Sequence, residues 1–211
     1  MTITAVEELT KSRSKIWIDE EFAFVLYKGE LRRYHIRVGG EISQEDYDAI
    51  LQEVLPKRAK LRAMNLLTKK DYTEKQLRGK LQEGCYPEQV IREALEYVAG
   101  YHYTDDRRYA VSYITDHENT RSRRRIEQDL LGRGIDEQVL EQAWAEWEAE
   151  GGRQDEQAMI GALIAKRRYD PDTADWKERR RMYAFLLRKG FSAEAVNRAM
   201  REACGEDPFC C

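Results

Sequence analysis

Histidine is scarce in this sequence, with three residues, His35, His102 and His117, among 211. None stands in an H-x-x-x-H or H-E-x-x-H arrangement, so the helical zinc sites built on that spacing are excluded. All three read as ordinary surface or boundary histidines, and no metal ligand set is assigned. Cysteine is equally sparse. Cys85, Cys204, Cys210 and Cys211 form no C-x-x-C pair and no disulfide framework, which points to a reduced, cytoplasmic protein. Neither G-x-x-x-x-G-K-[ST] nor G-x-G-x-x-G occurs, so no glycine-rich phosphate cradle is present. No run of 18 apolar residues exists, and no membrane span is expected. The opening MTITAVEELTKSRSK has no apolar core of the kind a signal peptide carries. Asp105-Asp106 reads as acid at a helix start, favourable to free N–H groups there, rather than as a metal or acid–base pair. Cys85 falls in a turn and has no base beside it in sequence. No catalytic residue and no cofactor is assigned, and the chain is not expected to be an enzyme.

What is present is a repeat. KLQEGCYPEQVIREAL (residues 80–95) returns as DLLGRGIDEQVLEQAW (129–144) and as FLLRKGFSAEAVNRAM (185–200). Leu77, Leu81, Cys85, Tyr86, Val90, Ile91, Ala94 and Leu95 align with Ile126, Leu130, Gly134, Ile135, Val139, Leu140, Ala143 and Trp144. They align again with Met182, Leu186, Gly190, Phe191, Ala195, Val196, Ala199 and Met200. Fixed self-similarity of this kind marks a modular helical architecture. The i, i+4 spacing places each apolar set on one helical face. Gly134 and Gly190 stand where a helix must stop in a left-handed conformation. Cys85 replaces them in the first copy, with Gly84 one place earlier, and a slightly different turn is expected there. Pro87, Asp136 and Ser192 open the following helix. A third segment precedes each pair, at 63–67, 110–114 and 160–164, so each copy is a three-helix unit. One such unit buries little apolar surface and needs neighbours.

The expected fold is mainly α, with three tandem helix–turn–helix-like repeats in an elongated molecule and a small β-rich N-terminal segment. Its divisions are 1–55 (hairpins and a short helix), 57–100, 104–150 and 156–204 (the repeats), and 205–211 (a flexible tail). Residues 1–14 read as a weak strand or a flexible arm. KIWI, FAFVLY and LRRYHIRV read as strands from their β-branched and aromatic content. Ser43 caps a helix that Pro56 interrupts, Thr73 with Gln76 has capping-box spacing, and Thr104 or Asp105 caps the first helix of repeat two. Trp144, Trp147 and Trp176 read as core or inter-repeat packing.

Net charge is only −3, yet it is unevenly placed. Residues 57–70 hold six Lys/Arg and no acid, 136–157 eight acids against one Arg, and 166–190 nine Lys/Arg against four acids. Basic tracts of this sort meet phosphates or an acidic protein face, or simply face water. A DNA-reading helix–turn–helix would offer Arg, Asn, Gln or Lys from its second helix. Here those helices read PEQVIREALE, DEQVLEQAWAE and SAEAVNRAMRE, which are acidic. The arginines cluster on the preceding helix and its approach, a layout suited to backbone or acidic-protein contact.

These residues resemble the RecX regulatory proteins. LLTKKDYTEKQLRGKLQEGCYPEQVIREALEYV is similar to that family's first repeat, YHYTDDRRYAVSYI to its aspartate-containing link, and SRRRIEQDLLGRGIDEQVLEQAW to its second repeat. The resemblance covers roughly residues 60–203, and residues 1–55 look like the N-terminal extension some members carry. It implies a non-enzymatic modulator of RecA recombinase that lies in the groove of the RecA–single-stranded DNA filament. Such a protein hinders filament extension and damps ATPase, strand exchange and repressor cleavage. By that analogy Arg121, Arg123, Arg124, Arg125, Lys177, Arg179, Arg180 and Arg181 are the candidates for RecA or DNA-phosphate contact. The expected partners are the RecA filament and, through it, single-stranded DNA, bound by a monomer away from membranes. The alternative is a helical protein that binds nucleic acid without RecA.

Overall fold

A computed structural model describes residues 1–203. The expected tail, 205–211 with Cys210 and Cys211, lies outside the described residues, as does Cys204, the last residue expected in repeat three.

The chain opens on a three-stranded antiparallel sheet, β1 (Ile3–Thr10), β2 (Arg13–Ile18) and β3 (Glu21–Tyr27), in the order β1-β2-β3. Ser14, Ile16 and Ile18 alternate inward along β2, as the two-residue strand period requires. Asp19 and Glu20 link β2 to β3 with φ of 47° and 70°, the left-handed pair of a two-residue hairpin turn. The turn is anchored from β1 and the residue before it. Thr2 N–H donates to Asp19 Oδ1 at 2.9 Å, and Glu20 N–H to Thr4 Oγ1 at 3.1 Å. Residues 3–10 are therefore a strand in full.

One expected strand is absent. LRRYHIRV begins inside a short helix, α1 (Lys28–Arg33), and continues without regular structure. The Glu30 carboxylate accepts the Tyr27 N–H at 2.7 Å, closing the helix start, and also takes Arg58. That local bonding outweighs the β tendency of the segment, in which Ile36 alone is buried.

Ser43 caps α2 (Gln44–Ala49) by accepting the Asp46 N–H at 3.0 Å. Pro56 does not break the helical path. A π-helical turn, Ile50–Val54, carries the backbone from α2 straight into α3 (Leu55–Leu67), with Pro56 in its first turn. Proline lacks the N–H that a regular helix would need there, and the wider turn absorbs the mismatch.

The first repeat comprises α3, α4 (Glu74–Gln82) and α5 (Glu88–Gly100). The second comprises α6 (Asp106–His117), α7 (Arg123–Gly132) and α8 (Glu137–Ala149), and the third α9 (Glu156–Lys166), α10 (Trp176–Arg188) and α11 (Ala193–Ala203). Thr73 and Gln76 form the expected capping box. The turn between the last two helices is the same in each copy. Tyr86, Ile135 and Phe191 N–H groups reach back five residues to Leu81, Leu130 and Leu186 carbonyls, the C-terminal pattern of a Schellman motif. Cys85 takes the left-handed place at φ 58°, where Gly134 and Gly190 stand at 92° and 93°. The expected difference in the first turn is thus confined to this angle. Gly84 is required for another reason: a Cβ there would sit 2.8 Å from the Tyr86 ring.

By compactness the chain divides into two units, Met1–Asp105 and Asp106 onward. In the first, sheet and repeat one share a single core from Ile3, Ile16, Phe24 and Leu26 through Ile50, Leu55 and Ala59 to Leu77, Ile91 and Val98. Arg58 ties the two parts. It pairs with Glu30 at 2.7 Å, donates to the Val25 carbonyl, and lies over the rings of Tyr27 and Tyr86. In the second unit repeats two and three keep separate cores, one around Ile126, Leu130, Trp144 and Trp147, the other around Ile160, Leu186, Phe191 and Val196.

Candidate functional site: a basic groove between repeats two and three

The turn that ends α6 and the start of α7 face the C-terminal end of α10. Ser122 builds this junction. Its Oγ accepts the Arg125 N–H at 3.3 Å as the cap of α7, and its hydroxyl donates to the Lys189 carbonyl at 2.9 Å. Ser122 is fully buried, one of few polar residues so placed. Gly190 is what admits it, since a Cβ there would lie 2.5 Å from Ser122 Oγ. Behind the junction, the Gln154 amide donates to the carbonyls of Glu118 at 2.8 Å and Arg121 at 2.9 Å, fixing the approach to α7.

Beside this seam lies a groove of about 730 Å³. Arg121, Arg125, Arg188 and Lys189 line it, with Asp116 as the one acid on its wall among the described residues, and Phe185, Phe191, Leu163 and His117 give it apolar surfaces. His117 is held by its own helix, stacked on Tyr113 at 4.1 Å with Nδ1 2.9 Å from the Tyr113 carbonyl.

The eight candidates, seven arginines and Lys177, differ in how far the fold engages them. Arg121 is committed to the fold: it bonds Asp129 and the Tyr113 hydroxyl and lies over the Tyr113 ring. Burial pushes that phenol above its ordinary value of 10.0, against the pull of Arg133 and Arg121, so it stays neutral and donates to Asp129 at 3.3 Å. Arg123 is also engaged, with Glu127 at 3.0 Å, Glu148 at 2.9 Å and the Trp144 ring 4.4 Å from its guanidinium. Arg179 is half-buried and donates to the Pro171 carbonyl at 3.0 Å. These three serve structure first. Arg125 is intermediate, 3.2 Å from Asp129 and more than half exposed.

Arg124, Lys177 and Arg181 are exposed and have no ion-pair partner among the described residues. Arg180 is exposed as well and lies over the Trp176 ring at 5.4 Å. Arg123, Arg124 and Arg125 occupy the first turn of α7 with no acid among them, although cations at a helix N-terminus oppose its dipole. Propensity does not account for that placement.

On α10 a helix of 100° per residue puts Lys177, Arg180, Arg181 and Arg188 within an arc of about 100°. That stripe lies opposite the buried Met182 and Leu186. Arg188, at the foot of the stripe, also lines the groove, so the two basic surfaces are continuous. Arg188, Lys189 and Phe185 lie outside the set of sequence candidates. They fall within the basic tract 166–190, and projecting that tract onto a helix brings Arg188 into line with Lys177 and Arg181. The Lys189 role depends on the close approach of Ser122 from another repeat, which no local pattern encodes.

Trp176 departs from expectation. Trp144 and Trp147 are core residues, 2% and 5% exposed, whereas Trp176 is 69% exposed at the first position of α10. It directly follows the segment that lengthens this repeat, 169–175. Among the described residues no group of three or more His, Cys, Asp or Glu side chains is placed to hold a metal ion, and no helix is long and apolar enough to cross a membrane.

Family models match this architecture repeat by repeat. The model for the RecX first three-helix domain matches residues 59–97, the second 105–143 and the third 154–200. A regulatory protein RecX of Clostridium acetobutylicum is 29% identical, covering 98% of each chain. That of Caldanaerobacter subterraneus is also 29% identical, over 95% of this chain and 98% of its own. Two solved structures share the fold. One, a crystal structure of regulatory protein RecX, superposes with a TM-score of 0.60 at 24% identity, over 98% of this chain and 99% of the other. The second, RecX from Lactobacillus salivarius, gives 0.59 at 23%, over 71% and 97%.

Proposed function

The chain belongs to the RecX family, and from that premise we propose that it is a non-catalytic regulator that binds the RecA–single-stranded DNA filament and restrains its extension. Lower filament ATPase, strand exchange and repressor cleavage result from shorter filaments. The observation that carries the reading is the continuous basic surface formed by the α10 stripe and the groove at the Ser122 seam. Among the described residues its cations Lys177, Arg181 and Arg188 are not spent on internal ion pairs, and neither is Arg124 in the first turn of α7. A filament of protein wound on DNA presents phosphates and acidic side chains together, and exposed cations on a rigid helical frame suit both. The acidic outer positions of α8, Glu137, Glu141 and Glu148, discourage wrapping onto bare duplex from that side.

The test is RecA's single-stranded-DNA-dependent ATPase with this protein titrated in below stoichiometry. A fall in rate at far fewer than one copy per RecA supports capping of filament growth. No effect with RecA of the same organism, the protein being folded, overturns the reading in favour of nucleic-acid binding independent of RecA.

A further inference from the structure

Trp176 is a large apolar ring left in water beside a row of cations. Its exposure of 69% exceeds that of every other large hydrophobic residue among those described, Val38 at 63% being next. Burial of such a ring is worth more than that of any aliphatic side chain. Poor local structure is not what displaces it. Asp175 caps α10 and Glu178 closes the capping box, with bonds of 2.7 and 3.3 Å. The Asp175 and Glu178 carboxylates are therefore turned to the backbone, and the tryptophan is held on an ordered first turn. The Arg180 guanidinium sits 5.4 Å from the ring centre, within cation–π range. At 100° per residue Arg180 lies about 40° round the helix from Trp176, and Lys177, Arg188 and Arg181 follow beyond it, within about 100° of Arg180.

We propose that Trp176 is a base-stacking residue for single-stranded nucleic acid, with the α10 cations tracking the phosphates on from it. Unpaired bases stack on aromatic faces whatever their identity, and a positive track beside the ring holds the backbone. Stacking of this kind demands an unpaired base, because a base inside a duplex has no free face. A protein surface is the competing occupant, and it would show no such distinction between single and double strands. RecA is not needed for such stacking, so bare DNA tests it apart from the filament reading.

The experiment is binding of oligothymidine and of a duplex of equal length to the full chain, monitored by intrinsic tryptophan fluorescence and by anisotropy of labelled DNA. Trp144 and Trp147 are buried and Trp17 is half-buried, so Trp176 dominates any quenching by a bound base. Trp176→Ala is expected to weaken single-strand binding about tenfold while leaving duplex affinity and the thermal midpoint unchanged. Trp176→Phe retains most of the single-strand affinity. Absence of quenching by oligothymidine, or an equal loss on single-stranded and duplex DNA in Trp176→Ala, overturns the proposal. Should either occur while the ATPase titration still shows inhibition, the filament reading stands without the stacking residue.

Discussion

The Ser122 hydroxyl donates to the Lys189 carbonyl at 2.9 Å across 67 residues of chain. The same oxygen caps α7, and the bare Cα of Gly190 makes room for it. Ser122→Ala loses a cap and a buried bond together and is expected to cost about 2 kcal/mol. Gly190→Ala forces a side chain to φ 93° and into the serine, at a comparable or larger cost. Urea denaturation of both variants and of the double variant gives the coupling. A double variant less destabilised than the sum confirms that the clash with the hydroxyl is part of the glycine's requirement.

Arg58 ought to behave as a keystone of the first unit. Its side chain is 17% exposed, and it joins Glu30, the Val25 carbonyl and two tyrosine rings. Arg58→Ala is expected to lower stability by about 2–3 kcal/mol, because a half-buried carboxylate and carbonyl lose their donor. Lysine should rescue little, since it lacks the planar fork that serves two acceptors at once. Thermal unfolding of the three proteins decides this.

Charge reversal separates the structural arginines from the exposed ones. Arg124→Glu, Arg181→Glu and Arg188→Glu should leave the thermal midpoint nearly unchanged and weaken binding to the RecA–DNA filament. If each removes one phosphate contact, the salt slope of binding falls by about 0.7 per residue. Arg121→Glu should instead lose stability, because it sets a second acid against Asp129. Unchanged filament affinity in the triple variant would remove the α10 stripe and Arg124 from the site.

Burial raises the Glu156 carboxyl above its ordinary 4.5. The folded protein thus favours the protonated form. The favourable contribution of this group is complete below the ordinary value and is lost as the pH rises through the higher folded value. At neutral pH the ionised carboxylate is penalised, so Glu156→Gln is expected to raise the melting temperature slightly near neutrality. The gain should vanish as the pH falls below the ordinary carboxyl range, and a gain that persists there would show a cause other than charge.

The repeats are legible in the sequence because their signal is dense. Leu81, Leu130 and Leu186 are all fully buried, and the turn residues after them share one hydrogen-bond pattern. Helical periodicity, caps and a left-handed stop agree with one another at each copy. The N-terminal region is harder. β1 places few residues inward, and its pattern carries little alternation; what makes it a strand is pairing with β2. LRRYHIRV has strand composition but follows Glu30, whose bonds to the Tyr27 N–H and to Arg58 start a helix, and Pro56 looks like a break until the π turn before it is seen. The site is half legible. Basic tracts mark α7 and α10, but composition cannot distinguish Arg123, spent on two glutamates, from Arg124 beside it. Nor does it say that Trp176 faces water while Trp147 donates to Glu118 at 3.0 Å from within the core.

The single core that runs from Ile3 to Val98 limits how this chain can be edited. In an array of self-contained modules, a cut at a module boundary leaves a soluble remainder. Here the first repeat has the sheet as part of its interior, and deleting residues 1–27 would turn Ile50, Leu55 and Ala59 into a sticky surface. Length can vary far more freely between α9 and α10, where the chain from Tyr169 to Asp175 buries no residue fully. Natural variation in chain length should therefore gather at that segment and be rare at the junction of sheet and first repeat.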